Sequence, residues 1–190
     1  MKKILYILNL SLILALVSCD TEIIQPIDEF SFEQGGYMRV VTPYPLVNAT
    51  FSVSKANLSG TKMELVAEAV TPNKGANFAS YEMLIKFEDK TPANGNKSTT
   101  DKPLKILQAN QYTADAQTGY PRATIAVTGT EALTATGITA ADISKGDYFT
   151  ITTTMVLTSG KRYNAANTGA NITGGAFYSS PFNYRINVAD

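Results

Sequence analysis

The sequence predicts an all-β fold, an antiparallel β-sandwich. Three features carry that prediction. Apolar and polar residues alternate through one short run after another. β-branched residues dominate those runs, and Gly, Pro, Asn and Ser separate them. No regular succession of strands and helix-length amphipathic segments occurs, which argues against a parallel α/β sheet.

The first twenty residues, MKKILYILNLSLILALVSCD, read as an address. Lys2 and Lys3 form a basic start, residues 4–17 are apolar, and the run ends at Leu16-Val17-Ser18-Cys19. A run of fourteen residues falls short of the roughly 20 that a bilayer-spanning helix needs, and both lysines sit on one flank, as in a secretory signal. The terminal tetrad resembles the bacterial lipobox. The resemblance implies that residues 1–18 are a lipoprotein signal peptide, removed before Cys19, and that the Cys19 thiol carries diacylglycerol. Cys19 is the only cysteine, so a disulfide has no partner within the chain. Two acyl chains suffice for stable anchoring. The expected first partner is therefore membrane lipid, through acylated Cys19.

Residues 19–29 read as a lipidated acidic tether, with Asp20 and Glu22 close to the lipid site and Pro26 opposing a regular helix. This pattern resembles the acidic export signals of lipoproteins in the Bacteroides and Flavobacterium group. That resemblance implies the outer membrane and the cell surface, with a periplasm-facing position as the alternative. In enteric bacteria the same aspartate implies inner-membrane retention, and a solvated leader without a sorting role is the plain reading.

Removing residues 1–18 leaves 172 of 190, enough for one domain over residues 30–190. The mature chain carries 14 basic and 16 acidic side chains without a basic stripe, so nucleic acid is a poor partner. Histidine is absent, which removes the usual general base and the commonest transition-metal ligand. With Cys19 acylated no thiol nucleophile remains. The expectation is a non-enzyme without cofactor or bound metal. Asp89, Asn94, Gly95 and Asn96 touch the composition of a calcium loop but lack its alternating acidic ligands.

Strands are expected at 36–42, before the Pro43-Tyr44-Pro45 break, and at 49–55, with Phe51 and Val53 on one face. Residues 62–70, KMELVAEAV, have the helix propensity of Leu, Ala, Glu and Met. Their alternation favours a strand with Met63, Leu65, Ala67 and Ala69 inward and Glu64 and Glu68 outward. Residues 81–87 place Tyr81, Met83, Ile85 and Phe87 on one face. A polar loop covers 88–102, a short edge strand 104–107, a loop 110–120 and a further strand 122–127. Residues 131–138 suit one or two helical turns. The longest strand, 150–158, and a last one, 182–188, flank a loop at 165–175 rich in Gly, Asn, Ala and Thr.

From Ile143 onward the order of features is similar to immunoglobulin-like and fibronectin type III-like domains. A Gly-rich corner, Lys145-Gly146-Asp147, precedes a tyrosine, Tyr148, that opens the long strand, and Ser180-Pro181 introduces the last one. The resemblance implies that Tyr148 is a corner tyrosine whose hydroxyl bonds upstream backbone. Lipid site, acidic tether and the Gly137-Ile138 pair before this corner together resemble the immunoglobulin-like accessory lipoproteins of starch-utilisation-type uptake systems in Bacteroidota. That resemblance implies a non-catalytic surface module that binds glycan near an uptake system, with glycan or outer-membrane uptake proteins as partners. The alternative is a structural or assembly lipoprotein that contacts other envelope proteins through sheet edges or loops.

Of the nine tyrosines after the signal, Tyr37, Tyr81, Tyr148 and Tyr184 fall on strands or the corner and are expected in the core. Tyr44, Tyr112, Tyr120, Tyr163 and Tyr178 fall in loops, where a ring suits stacking on a sugar face or closing the edge of the core. The candidate ligand-binding cluster is Arg162, Tyr163, Asn164, Asn167, Asn171 and Tyr178, because Asn amides both donate to and accept from hydroxyls. Against it stands a glycine-rich hairpin loop whose asparagines serve its own backbone.

Overall fold

Alternating segments need a second apolar surface to face, and this chain supplies it with two sheets. The structure, a computed structural model, describes residues 35–93, 95–174 and 180–190, and Gly35 to Asp190 form one compact unit. The expected signal peptide 1–18, the tether 19–29 with Cys19, residues 30–34, Asn94 and Tyr178 lie outside the described residues. The first sheet holds β1 (Tyr37–Thr42), β3 (Lys62–Val70), β7 (Pro121–Thr128) and the short β6 (Thr113–Ala114), in the order β1-β3-β7-β6 and antiparallel throughout. The second holds β2 (Phe51–Ser54), β10 (Asn183–Ala189), β8 (Tyr148–Leu157), β4 (Phe78–Glu88) and β5 (Lys102–Gln108), in the order β2-β10-β8-β4-β5. A two-residue strand, β9 (Arg162–Tyr163), pairs with Met155 and Val156 of β8. Among the described strands β2 and β10 form the one parallel pair.

The inner faces of both sheets make the core. Met63, Leu65, Ala67 and Ala69 of β3 are all buried, which settles the helix-or-strand question for residues 62–70. A helical turn of 3.6 residues would have scattered these four around its axis. Across the core stand Tyr81, Met83, Ile85 and Phe87 of β4, and Phe149 and Ile151 of β8. Phe87 and Phe149 are direct cross-strand partners with ring centroids 5.2 Å apart. Burying a side chain of this size contributes about 1.5–3 kcal/mol before entropy is counted.

Glu68 departs from its expected environment. It does point away from the core, as alternation requires, yet it is fully buried. Arg39 of β1 and Arg122 of β7 flank it in the cross-strand register, and both guanidinium groups close over its carboxylate. Thr118 Oγ1 donates to Glu68 Oε1 at 2.8 Å, and Arg122 also pairs with Asp115 at 2.6 Å. The loop between β6 and β7 is thereby tied down over the outer face of the four-stranded sheet. Burial opposes the charge on Glu68, but hydrogen bonds from Arg39, Arg122 and Thr118 outweigh it and hold the carboxyl below its usual pKa.

The corner before β8 is also built differently from the expectation. Tyr148 opens β8 as expected, but its ring lies on the outer face, with Arg185 over it at 3.7 Å and Lys90 at 5.4 Å. Among the described residues no backbone group bonds its hydroxyl, so the corner-tyrosine contact is not made there. The preceding residue holds the corner instead. Asp147 is 1 % exposed, and its carboxylate accepts from the backbone N–H groups of Lys90 (2.8 Å) and Ser144 (2.7 Å) and from Thr91 Oγ1 (3.0 Å). A carboxylate with three donors can be buried where a phenol with one would leave backbone groups unpaired.

Helical turns expected over 131–138 form as α1 (Gly129–Thr136), which starts and ends two residues earlier. Thr128 and Glu131 cap it reciprocally, and Gly137 ends it at φ 75°, where a side chain would be strained. Lys105 of β5 turns inward to the Ala126 carbonyl (2.6 Å) and Glu131 (3.0 Å). An inward charge and Pro103 on this edge strand both oppose pairing with another chain.

Candidate functional site

β9 is too short to carry a site by itself, but its alternation decides where the predicted cluster goes. Arg162 stands opposite Val156 and Tyr163 opposite Met155, so the two residues face opposite sides of the sheet. Arg162 crosses the outer face to form a two-point ion pair with Glu82. Tyr163 turns inward and packs, half-buried, against the core, with its ring 3.3 Å from where a side chain on Gly35 would begin. The cluster is therefore split between two environments.

The asparagines serve their own loop. Asn164 Oδ1 accepts from the Ala166 N–H at 2.9 Å. Asn167 Oδ1 accepts from the Asn164 N–H at 2.8 Å, while its amide donates to the Arg162 carbonyl at 2.7 Å. Such side-chain-to-backbone bonds are what asparagine contributes to tight turns. Asn171 lies in a short helix, α2 (Ala170–Gly174), inside the segment expected to be irregular. Tyr178 lies outside the described residues. Asp89 accepts from the backbone N–H groups of Thr91 and Lys97, both at 2.9 Å, which spends its carboxylate on the loop. Among the described residues no group of three His, Cys, Asp or Glu could hold a metal ion.

The other tyrosines divide by geometry. Tyr81 and Tyr184 are buried and share a hydrogen bond at 3.1 Å, and Tyr81 donates to Thr153 at 2.7 Å. Burial pushes the Tyr81 hydroxyl up to about 12 and that of Tyr184 well above its usual value. Tyr112, expected in a loop, is buried edge-on against Phe78 at 4.9 Å, so it closes one edge of the core. Tyr120 lies under Lys74 (5.0 Å) and Arg39 (5.8 Å). Tyr44 is exposed.

A more continuous recognition surface is the outer face of the six-stranded sheet. The register lays it out in rows. Glu88, Tyr148 and Asn187 form one; Lys86, Thr150 and Arg185 the next; Leu84, Thr152 and Asn183 the third; and Glu82 and Thr154 the fourth. Thr150, Thr152 and Thr154 thus make a ladder of hydroxyls about 7 Å apart, two residues of strand rise at each step. Leu84 and Ile106 are exposed beside it. These rows exist only once β4, β8 and β10 are paired, so the alternation within any one strand does not show them.

Shallow clefts border the described surface. One of about 330 Å³ lies between Pro103, Leu104, Thr128 and α1. One of about 320 Å³ lies beside Asp115 and Arg122. A small one of about 80 Å³ is bounded by Asn48, Phe51, Asn183 and Arg185, at the margin of the threonine ladder. None brings a nucleophile and a base together. Among the described residues no helix is long and apolar enough to cross a membrane. Neither a protein-family model nor a curated protein matches this chain.

Proposed function

We propose that this chain is a lipid-anchored, non-catalytic module of the outer membrane that holds glycan near an uptake system. The observation that carries the reading is the outer face of the six-stranded sheet, where a row of half-exposed threonines, the exposed Asn183 and the Arg185 guanidinium share one side of paired strands. Hydroxyls and amides both donate and accept, which is what sugar hydroxyls require. A surface built on strands keeps its spacing better than one built on loops. The strand order also supports an immunoglobulin-like arrangement, with β1, β3, β7 and β6 in one sheet and β4, β8 and β10 at the centre of the other. The lipobox-like tetrad at Cys19 supports the anchor.

The second reading, an assembly lipoprotein, draws on the loop between β1 and β2. There Tyr44 and Val47 are 58 % and 62 % exposed, an apolar tip suited to another protein. The guarded edge of β5 speaks against assembly through that strand.

The test is a broad glycan array probed with the mature protein carrying Cys19→Ser. Binding that weakens in Thr152→Val at unchanged melting temperature supports the sheet face as the site. Absence of binding to every glycan refutes the reading and leaves assembly through the Tyr44–Val47 loop.

A further inference from the structure

The four arginines of this chain are not equivalent. Arg39 and Arg122 hold Glu68, and Arg162 holds Glu82. Arg185 has no carboxylate partner among the described residues. Its guanidinium carbon instead lies over the Tyr148 ring, 3.7 Å from the centroid, a cation–π contact that restricts the side chain. Its Nε is buried without an acceptor, so its hydrogen bonding rests on the Nη edge.

The surroundings are cationic and polar. Lys86 stands across Thr150 from Arg185 in the same row. Lys90 stands over the other part of the Tyr148 environment. Glu88, the nearby carboxylate, is already held by Lys86 at 2.6 Å and Lys90 at 3.4 Å. The cleft of about 80 Å³ opens at Arg185 and Asn183. Just before it, Phe182 sits at φ 56° with its carbonyl held by the Thr153 N–H (2.9 Å) and hydroxyl (3.0 Å). A non-glycine residue kept in that left-handed region marks a place where the fold over-determines the backbone, and here it sets the start of β10.

We infer that Arg185, stacked on Tyr148, is a subsite for the carboxylate of an acidic sugar, so that the glycan held by this face carries uronic acid. The inference rests on the glycan reading above and names its ligand class. A planar carboxylate matches the two-pronged edge of a guanidinium. Asn183 and Thr150 stand beside it to meet the ring hydroxyls.

The test uses the mature protein and calorimetric titration with an oligomer of galacturonic acid, its methyl ester, a hyaluronan oligomer bearing glucuronic acid, and a sulfated galactan. Esterification removes the charge and keeps the ring. The expected result is binding of at least one carboxylated oligomer, weakened by added salt, and at least tenfold weaker binding of the methyl ester. Arg185→Met should lose at least tenfold towards the acid and nothing towards the ester. Arg185→Lys, which keeps the charge but not the fork, should lose severalfold, and melting temperatures report whether each variant is folded. Equal affinity for acid and ester overturns the carboxylate subsite and leaves the glycan reading standing. Binding of the sulfated galactan alone also overturns it. No binding to these oligomers or to any neutral glycan overturns both.

Discussion

Replacing Glu68 by glutamine is the sharpest probe of the four-stranded sheet. The carboxylate is fully buried and accepts from Arg39 Nε at 3.1 Å, Arg122 Nε at 3.0 Å and Thr118 Oγ1 at 2.8 Å. Glutamine keeps the shape, but it is neutral and turns an NH₂ group towards one of the two guanidinium groups. Breaking a fully buried ion pair costs about 3–5 kcal/mol. Here the arginine side chains are 28 % and 30 % exposed, and water screens part of that, so about 2–3 kcal/mol is expected. For a domain of this size that is a fall in melting temperature of about 5–10 °C. Urea unfolding followed by tyrosine fluorescence measures it, since the chain has no tryptophan. The pH dependence adds a second check. The folded-state pKa of Glu68 is depressed, so its contribution is full above the unfolded value near 4.5 and is lost as pH falls through the folded one. The gap between wild type and Glu68→Gln should therefore be widest at neutral pH and shrink below about pH 4.5. A gap under about 0.5 kcal/mol at neutral pH, or one that stays constant into acid, would refute the reasoning.

Three further outcomes are expected. Tyr163→Ala should destabilise the fold by about 1–3 kcal/mol, because a half-buried ring leaves the core, while Arg162→Ala, on the exposed face, should change stability by less than about 1 kcal/mol; parallel thermal melts decide, and equal effects would mean the two side chains do not face opposite ways. Alkaline titration should weaken the fold between about pH 10 and 12, since Tyr81 ionises near 10 when unfolded but at about 12 in place; Tyr81→Phe should flatten that loss in equilibrium unfolding, and an unchanged slope would count against it. Metabolic labelling with a lipid precursor should mark the wild-type chain and leave Cys19→Ala unlabelled, and equal labelling of both would remove the anchor.

Local pattern carried the sequence reading a long way. Alternation in residues 62–70 and 81–87 is a property of neighbouring residues, and the inward sets it names are buried in the structure. The capped helix at α1 was legible for the same reason, since Thr128, Glu131 and Gly137 act within one another's reach. Even the split of Arg162 from Tyr163 follows from a period of two, although the loop's composition drew the residues into one cluster.

What the tertiary structure decided lies between residues far apart in sequence. Alternation says that Glu68 points away from the core, but only the register of β1 and β7 brings Arg39 and Arg122 over it and makes its exterior position a buried one. Tyr148 was legible as the opening of a strand, yet its role passed to Asp147, because what anchors the corner depends on where Lys90 and Thr91 arrive from β4. Arg185 gave no signal at all. Nothing near it in sequence states that it lacks a carboxylate or that Tyr148, 37 positions earlier, lies beneath it. A strand's own residues determine which way each side chain points; the pairing of strands, paid in loop-closure entropy across the whole chain, determines what it meets there.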